Sequence, residues 1–258
     1  DQTGGWGFSG GYIIRSGADG GAPFGYNGIL ETSAGEHGFS SSGTITANWE
    51  QVIVVYNGSD VKFYRDGSLS NTNMGVSGTL SDYVGNMYFG SANNGSTHFY
   101  EGLLDDIAIW NSELSLSEIT ALYNSGSGLV ASSNSGDYTS SSNLVGYWNF
   151  NEGSGTTLTD QTANGNDGTI VGATWSTDVP TPPTPPIDKA LSFSSGQYAR
   201  IEMTESLNSL NDFAIELWYY ELSSASETIF GNEDANSIAG SIQIKRYGGN
   251  FDVSVSDG

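Results

Sequence analysis

Oxygen-bearing side chains that could bind a hard cation form two groups in the sequence. The first is Asp105 and Asp106, at the start of an apolar run over residues 107–110. The second group lies in a turn-rich stretch and consists of Asp160, Asn164, Asn166 and Asp167. Because calcium takes carboxylate and amide oxygens as ligands in proteins, both groups are candidate calcium sites.

Both groups also have an interpretation without a metal. Strand alternation predicts that Asp105 shares an inward face with Ile107 and Ile109, where a carboxylate needs either a metal or hydrogen-bond donors. The second group has the composition that tight turns use anyway. No complete EF-hand calcium loop is present in the sequence. The sequence leaves the metal and the structural interpretations open.

Aromatic side chains are a second kind of candidate, because sugar rings stack on flat aromatic faces. Strand alternation assigns one set to the core: Trp49, Trp110, Trp148, Phe150 and Trp218. The aromatic residues predicted in loops or at strand ends are Trp6, Phe24, Tyr26, Trp175, Tyr219 and Tyr220. Each of these has a packing role as its alternative, and a sugar site would need an exposed ring beside Asn, Asp or Gln.

Residues for catalysis are poorly placed in the sequence. His37 and His98 have no nucleophile at a motif spacing. Glu216 and Glu221 stand at an odd spacing in a strand-like run, which puts them on opposite faces, whereas the paired carboxylates of glycosidases act together at one bond. The sequence therefore predicts a protein that is not an enzyme.

The elements that must position these residues read as short strands and one helix. The stretch "NWEQVIVVYNGSDVKFYRDGSLSN" predicts strands joined by turns at Asn57-Gly58 and at Asp66-Gly67. In "SLSEITALYNSG", Ser115 and Glu118 form a capping box, which predicts a helix over about 115–124. Since so short a helix is unstable alone in water, it must dock on a sheet.

The composition favours an all-β protein and excludes some partners. The chain has 258 residues with 36 glycines, 12% aromatic residues and no cysteine, so neither a disulfide nor a thiolate metal site exists. Its formal net charge of −22 would repel nucleic acid and anionic lipid. We also expect no membrane insertion, because no apolar run is long enough for a span.

Three groups of segments resemble a laminin-G-like, concanavalin A-like domain. "NLVGYWNFNEGSGTTLTDQTANGNDGTIVGATW" resembles its opening, and "KALSFSSGQYARIEM" and "FAIELWYY" resemble its next strands. "NWEQVIVVYNGSDVKFYRDGSLSN", "MYFGSANN" and "YEGLLDDIAIWNSELSLSEITALYNSG" resemble its second half and closing helix. The resemblance implies a concanavalin A-like jelly-roll β-sandwich of antiparallel sheets with one short helix. It also favours calcium near the second oxygen-rich group, since laminin-G-like domains often carry a calcium ion at the rim.

The order of these segments departs from the family pattern. Residues 1–127 resemble the C-terminal portion of such a sandwich, and residues 144–258 resemble the N-terminal portion. Residues 128–143 are rich in Ser and Gly and are predicted as a flexible linker. Half a sandwich exposes an apolar sheet face and strand edges, so the halves are expected to complete one another within or between chains. The order is typical of a slice from a longer repeat protein.

The resemblance implies a non-enzymatic recognition or adhesion module that is secreted or displayed on a cell or virion surface. The expected partner is a glycan or cell-surface polysaccharide bound at the loop rim, with calcium as a candidate cofactor. Self-association, or contact with neighbouring repeats, is also expected. The alternative is a structural repeat subunit of an extracellular filament or of a phage or virion appendage that binds no sugar.

Overall fold

The structure of this chain is a computed structural model. It describes residues 26–32, 35–41, 48–74, 86–91, 94–97, 99–180, 189–202, 204–207, 210, 212–222, 227–231, 242–247 and 250–255. For residues 26–32, 35–41, 242–247 and 250–255, and at a few strand ends, the description is limited to the backbone. The candidates Trp6 and Phe24 lie outside the described residues.

The described chain is built from strands, as the composition predicts, with one α-helix in the described ranges. The first strands are β1 (Tyr26–Thr32), β2 (Gly35–Ser41), β3 (Glu50–Tyr56), β4 (Asp60–Arg65), β5 (Ser68–Met74), β6 (Asn86–Phe89) and β7 (Gly102–Trp110). After helix α1 (Leu116–Tyr123) come β8 (Leu144–Trp148), β9 (Thr157–Leu158), β10 (Gly168–Val171), β11 (Thr174–Ser176), β12 (Ala190–Phe193) and β13 (Tyr198–Glu202). The last strands are β14 (Phe213–Glu221), β15 (Glu227–Gly231), β16 (Ile242–Tyr247) and β17 (Asn250–Val255).

Within the described ranges, the strands form two large antiparallel sheets and a separate hairpin of β1 and β2. The seven-stranded sheet has the order β17-β16-β15-β6-β13-β10-β9. The eight-stranded sheet has the order β11-β12-β7-β14-β3-β4-β5, and β8 pairs with β7 off this path. The predicted β-sandwich of antiparallel sheets with one short helix is therefore confirmed.

Strands from the two predicted halves share both sheets within one chain. In the eight-stranded sheet, β7 from the first half pairs with β8, β12 and β14 from the second half. In the seven-stranded sheet, β6 pairs with β13 and β15. The order of the segments along the chain therefore does not prevent the described halves from completing one another in a single molecule.

The core between the two sheets is apolar and largely aromatic. Phe89 packs on Trp148 with ring centroids 5.2 Å apart and stacks on Phe230 at 5.4 Å. Strand β3 supplies this core with every second residue, namely Val52, Val54 and Tyr56. The intervening residues face away from the core and build the outer surfaces of the sandwich.

The outer face of the eight-stranded sheet carries a third layer, made of α1 and residues 128–143. The predicted capping box is confirmed, because the Ser115 side chain accepts from the Glu118 amide and the Glu118 side chain accepts from the Ser115 amide. Ile119 and Leu122 are fully buried in a second apolar cluster against this sheet. The helix therefore docks on a sheet, as its short length requires.

Residues 128–143 contribute buried side chains to this layer, so their prediction as a flexible linker is wrong. Tyr138 is fully buried, and its hydroxyl donates to the Ala131 carbonyl at 2.6 Å. The Trp110 indole N–H donates to the same hydroxyl at 3.0 Å. In this Ser- and Gly-rich stretch, nothing in the sequence indicated that the single aromatic residue Tyr138 anchors the loop. Its buried contacts offset the entropy cost of ordering the loop.

Candidate functional site

Two aromatic rings and a carboxylate meet at one end of the eight-stranded sheet. Trp49 immediately precedes β3, Tyr220 lies near the end of β14, and Asp178 follows β11. The pairing of Tyr219 with Glu50 across the two strands brings Tyr220 beside Trp49, with ring centroids 6.0 Å apart and planes inclined by 55°. We call Trp49, Tyr220 and Asp178 the aromatic patch.

Hydrogen bonds to the surrounding chain fix the aromatic patch. The Trp49 indole N–H donates to Asp178 Oδ1 at 3.1 Å, and the Asp178 amide donates to the Ser176 hydroxyl at 3.0 Å. On the other side, the buried Tyr100 hydroxyl donates to the Tyr220 carbonyl at 2.7 Å. Because these contacts hold the Trp49 ring and the Tyr220 backbone before any ligand arrives, binding would cost less ordering entropy.

The aromatic patch has the chemistry that a neutral sugar ring requires. Trp49 and Tyr220 are half-buried, so part of each ring meets solvent, and Asp178 is exposed. Sugars present C–H faces that stack on aromatic rings and hydroxyls that donate to a carboxylate. Trp49 was predicted to lie in the core; that interpretation is wrong, because the residue precedes the strand and faces away from the core between the sheets.

The other aromatic candidates have different positions. Tyr219 is wrong as a sugar-stacking residue, because it is fully buried and its hydroxyl donates to Glu50 at 2.7 Å. Trp175 is half-buried, packs against the core between the sheets and donates to the Gly155 carbonyl at 3.2 Å. For Tyr26 the structure describes the backbone alone, in β1.

The side chains of the second predicted calcium group take part in hydrogen bonds in or beside a turn. Asp160 accepts from the amides of Tyr147, Thr162 and Asn166 and from the Thr162 hydroxyl. The other three residues also form hydrogen bonds here. Asp167 accepts from the Asp160 amide, and Asn164 and Asn166 both donate to the Val145 carbonyl. With both Asp160 oxygens occupied by protein donors, these residues as arranged do not fit a calcium ion.

The first predicted calcium group lies at a β-bulge. Between the pairs Glu216–Ala108 and Trp218–Asp105, β7 contains one residue more than β14, and Asp106 has φ 45°. The extra residue reverses the alternation, so Asp105 lies on the helix-covered face and the predicted shared face with Ile107 is wrong. Among the described residues, no group of three or more His, Asp or Glu side chains is placed to hold a metal ion.

Around this bulge the structure gathers acidic groups that the sequence analysis did not connect. Glu216 is buried and accepts from Gln51 Nε2 at 2.6 Å. Burial, and then the negative charge of Asp106, raise the pKa of Glu216 to about 8, although hydrogen bonds from Gln51 and Trp218 act in the opposite direction. The Tyr147 hydroxyl donates to Asp106 Oδ1 at 2.6 Å. Glu216 is therefore largely protonated at neutral pH.

Comparison with known families supports the sequence resemblance. Residues 2–120 match the family model described as the concanavalin A-like lectin/glucanases superfamily, Laminin_G_3. The predicted resemblance is confirmed. Comparison with curated proteins and with solved structures gave no match. The concanavalin A-like family supports a lectin-like or adhesion-type module, and its name covers both lectins and glucanases.

Two further observations concern a carboxylate considered for hydrolysis and the lengths of the helices. Glu216, one of the two carboxylates considered for hydrolysis, is buried on the helix-covered face of the eight-stranded sheet. Within the described part of the chain, no helix is long and apolar enough to cross a membrane. The aromatic patch, with two half-buried rings beside an exposed carboxylate, is our candidate site in the described residues.

Sequence reasoning found only one member of the aromatic patch, Tyr220. Trp49 was missed because its exposure depends on where β3 begins, and alternation in the sequence defines the ends of strands poorly. Asp178 was missed because nothing in its local sequence relates it to residue 49. The signal that was available is the predicted hairpin, which places Trp49 just outside the first strand.

Proposed function

We propose that this chain is a non-enzymatic recognition module that binds a neutral glycan through the aromatic patch. The observation that carries the proposal is the pair of half-exposed rings, Trp49 and Tyr220, beside the exposed carboxylate of Asp178. The lectin-like family match supports the same function. An extracellular, cell-surface or virion-surface location belongs to the proposal, because adhesion modules meet their glycans there.

The mechanism needs only the chain's own groups. One sugar face would stack on the Trp49 indole, the Tyr220 ring, inclined by 55° to the indole, would contact the side of the sugar, and a sugar hydroxyl would donate to Asp178. The bond between Trp49 and Asp178 would keep the carboxylate close to the edge of the stacked ring. Calcium has no role in this mechanism, so the proposed binding is independent of divalent cations.

The test is binding of the whole chain to an array of neutral oligosaccharides, followed by titration calorimetry with the strongest ligand. We expect Trp49→Ala to weaken binding about tenfold or more, since buried aromatic contacts dominate such interfaces. Tyr220→Phe retains the ring and should bind as the unchanged chain does, whereas Tyr220→Ala should bind weakly. Asp178→Asn tests the carboxylate as the acceptor for a sugar hydroxyl, and it should weaken binding less than Trp49→Ala does.

Trp175→Phe is the matched control, because it alters a half-buried tryptophan outside the aromatic patch. Equal binding by the Trp49→Ala variant and the unchanged chain would contradict the proposal. If the unchanged chain binds no neutral glycan and instead forms ordered head-to-tail polymers, the structural repeat subunit predicted as the alternative would replace it. Thermal melting of each variant would confirm that the fold is retained.

A further inference from the structure

A row of aromatic rings continues from the aromatic patch along the outer face of the eight-stranded sheet. Trp218 and Tyr220 share this face of β14, because Leu217 and Tyr219 point into the core between the sheets. Tyr123, the last residue of α1, stacks on Trp218 with ring centroids 6.0 Å apart and planes inclined by 12°. Residues two apart in a strand are separated by about 7 Å. The Tyr123 ring therefore lies beside the aromatic patch.

The turn between β4 and β5 fixes the position of the Tyr123 ring. Gly67 in this turn lies directly against the tyrosine, since a Cβ at this glycine would be 2.9 Å from the Tyr123 Cβ. The Thr120 hydroxyl donates to the Gly67 carbonyl at 3.1 Å, which joins α1 to the same turn. The ring is thus held in place before any ligand binds, which lowers the ordering entropy that binding would cost.

A carboxylate lies near the Tyr123 ring. Asp66 precedes Gly67 in the turn, and its Oδ1 accepts from the Gln51 amide at 3.0 Å. Burial, and then the negative charge of Asp66, raise the pKa of Tyr123, so its hydroxyl remains protonated close to this carboxylate. The ring and the carboxylate repeat the chemistry of the aromatic patch.

Both of these groups meet solvent. Tyr123 and Asp66 are half-buried. One face of the Tyr123 ring is stacked on Trp218, so the exposed part of the ring is on the side away from that indole. Trp218 itself is buried and supports the ring from beneath. A ligand on the aromatic patch can therefore extend onto Tyr123.

Two aromatic positions along one sheet face suit a linear ligand. A β-1,4-linked chain of neutral hexoses is extended and presents C–H faces along its length, so one unit can contact Trp49 while another contacts Tyr123. Its hydroxyls can donate to the carboxylates of Asp66 and Asp178. The same carboxylates, and the formal net charge of −22, disfavour an anionic chain.

We propose that Tyr123 and Asp66 form a second sugar subsite, and that a linear β-1,4-linked neutral oligosaccharide binds across this subsite and the aromatic patch. One sugar unit contacts Trp49 and Asp178. A unit further along the oligosaccharide contacts Tyr123 and donates a hydroxyl to Asp66. This proposal rests on the neutral-glycan function proposed for the aromatic patch, and it adds the length and the linkage of the ligand.

The test is titration calorimetry of the whole chain with the β-1,4-linked glucose tetramer and with methyl β-glucoside. A single sugar unit reaches only one subsite, so we expect the tetramer to bind at least tenfold more tightly. Tyr123→Leu keeps an apolar side chain over Trp218 but loses the flat ring, and should abolish this gain. Its binding of methyl β-glucoside should equal that of the unchanged chain, which would show that the aromatic patch is intact.

Tyr123→Phe is the matched control, because it keeps the ring and should keep the gain. Asp66→Asn keeps an oxygen for the Gln51 amide and suits the left-handed backbone of residue 66, where φ is 48°. It should weaken binding of the tetramer about threefold or more and leave binding of methyl β-glucoside unchanged. Unchanged binding of the tetramer by Asp66→Asn would overturn the role of Asp66.

Equal binding of the tetramer and of methyl β-glucoside by the unchanged chain, or a gain that persists in Tyr123→Leu, would overturn the second subsite. Trp49-dependent binding of another neutral glycan, without binding of the tetramer, would overturn it and leave the function of the aromatic patch in place. No binding of any neutral glycan would overturn both proposals.

Discussion

Two buried glutamates on the same side of the eight-stranded sheet have pKa values shifted in opposite directions. Burial raises the pKa of Glu118, but hydrogen bonds from Ser140, Ser115 and Thr139 outweigh it and hold the pKa at about 2. For Glu216, burial and the charge of Asp106 prevail, and the pKa is about 8. Burial raises the pKa of both glutamates, so hydrogen-bond donors and neighbouring charges decide whether the net pKa shift is upward or downward.

The difference follows from the elements that carry the two side chains. Glu118 lies in the first turn of α1, where two Ser115 donors and three donors from Thr139 and Ser140 converge on its carboxylate. Glu216 lies in a strand whose backbone amides are used in the ladder, so only side chains can stabilise its charge. At this helix start and loop, backbone and side-chain donors both reach the carboxylate, whereas at Glu216 only side-chain donors are available.

Removing the carboxylate of Glu118 should have the largest effect. We expect Glu118→Ala to lower the free energy of unfolding by about 3 kcal/mol, because five partly buried hydrogen bonds to an ionised acceptor are lost. Urea unfolding at pH 7 measures this change. The matched control is Glu113→Ala, an exposed glutamate just before the helix, which should cost about 0.5 kcal/mol or less. Equal losses for the two variants would contradict the comparison.

Replacing Glu216 should have a smaller effect of opposite sign. Its folded-state pKa lies above the ordinary value of 4.5, so its stabilising contribution is full below pH 4.5 and declines as pH rises towards about 8. We expect Glu216→Gln to raise the free energy of unfolding by about 2 kcal/mol at pH 7 and to have little effect at pH 4.5. Urea unfolding across this pH range measures the difference, and a Glu216→Gln variant less stable at pH 7 would refute the protonated state.

The acid side of the pH profile should depend on Glu118 instead. Its folded-state pKa lies below 4.5, so its contribution is full above pH 4.5 and declines as pH falls towards about 2. Between pH 5 and pH 3 we expect the unchanged chain to lose about 1 to 2 kcal/mol more than Glu118→Gln does. Parallel acid profiles for the two proteins would show that the hydrogen bonds to Glu118 do not hold its charge.

A change beside Glu216 tests the contribution of Asp106. Burial, followed by the charge of Asp106, raises the pKa of Tyr147 well above its ordinary value, so its hydroxyl remains a donor. Tyr147→Phe should lower the free energy of unfolding by about 1 kcal/mol, through loss of one hydrogen bond to a carboxylate. Thermal and urea unfolding at pH 7 measure this change. An unchanged free energy of unfolding would show that solvent replaces the Tyr147 hydroxyl as the donor to Asp106.

The smallest effect is expected when metal ions are removed from the turn around Asp160, the third carboxylate in this comparison. Its four acceptor contacts are filled by protein donors. Adding EDTA to the purified chain should therefore leave Tm unchanged. A fall in Tm on chelation, restored by calcium, would show that the calcium prediction from the sequence is correct.

Particular residues show which structural features could be predicted from the sequence and which could not. The turns at Asn57-Gly58 and Asp66-Gly67 and the capping box of Ser115 and Glu118 are confirmed, because each depends on a few neighbouring residues. The face of Asp105 was wrong, since one bulge residue reverses the strand alternation. The linker prediction failed at Tyr138, a single aromatic residue in a polar stretch.

The sequence by itself determined the fold class, the short capped helix and the acidic character of this chain. Those properties follow from local backbone preferences, periodicity and the sum of charges. Tertiary structure alone decided that Trp49 meets Asp178, that Glu216 lies near Asp106, and that Tyr123 stacks on Trp218. These facts depend on strand register and layer packing, which join residues far apart in the chain.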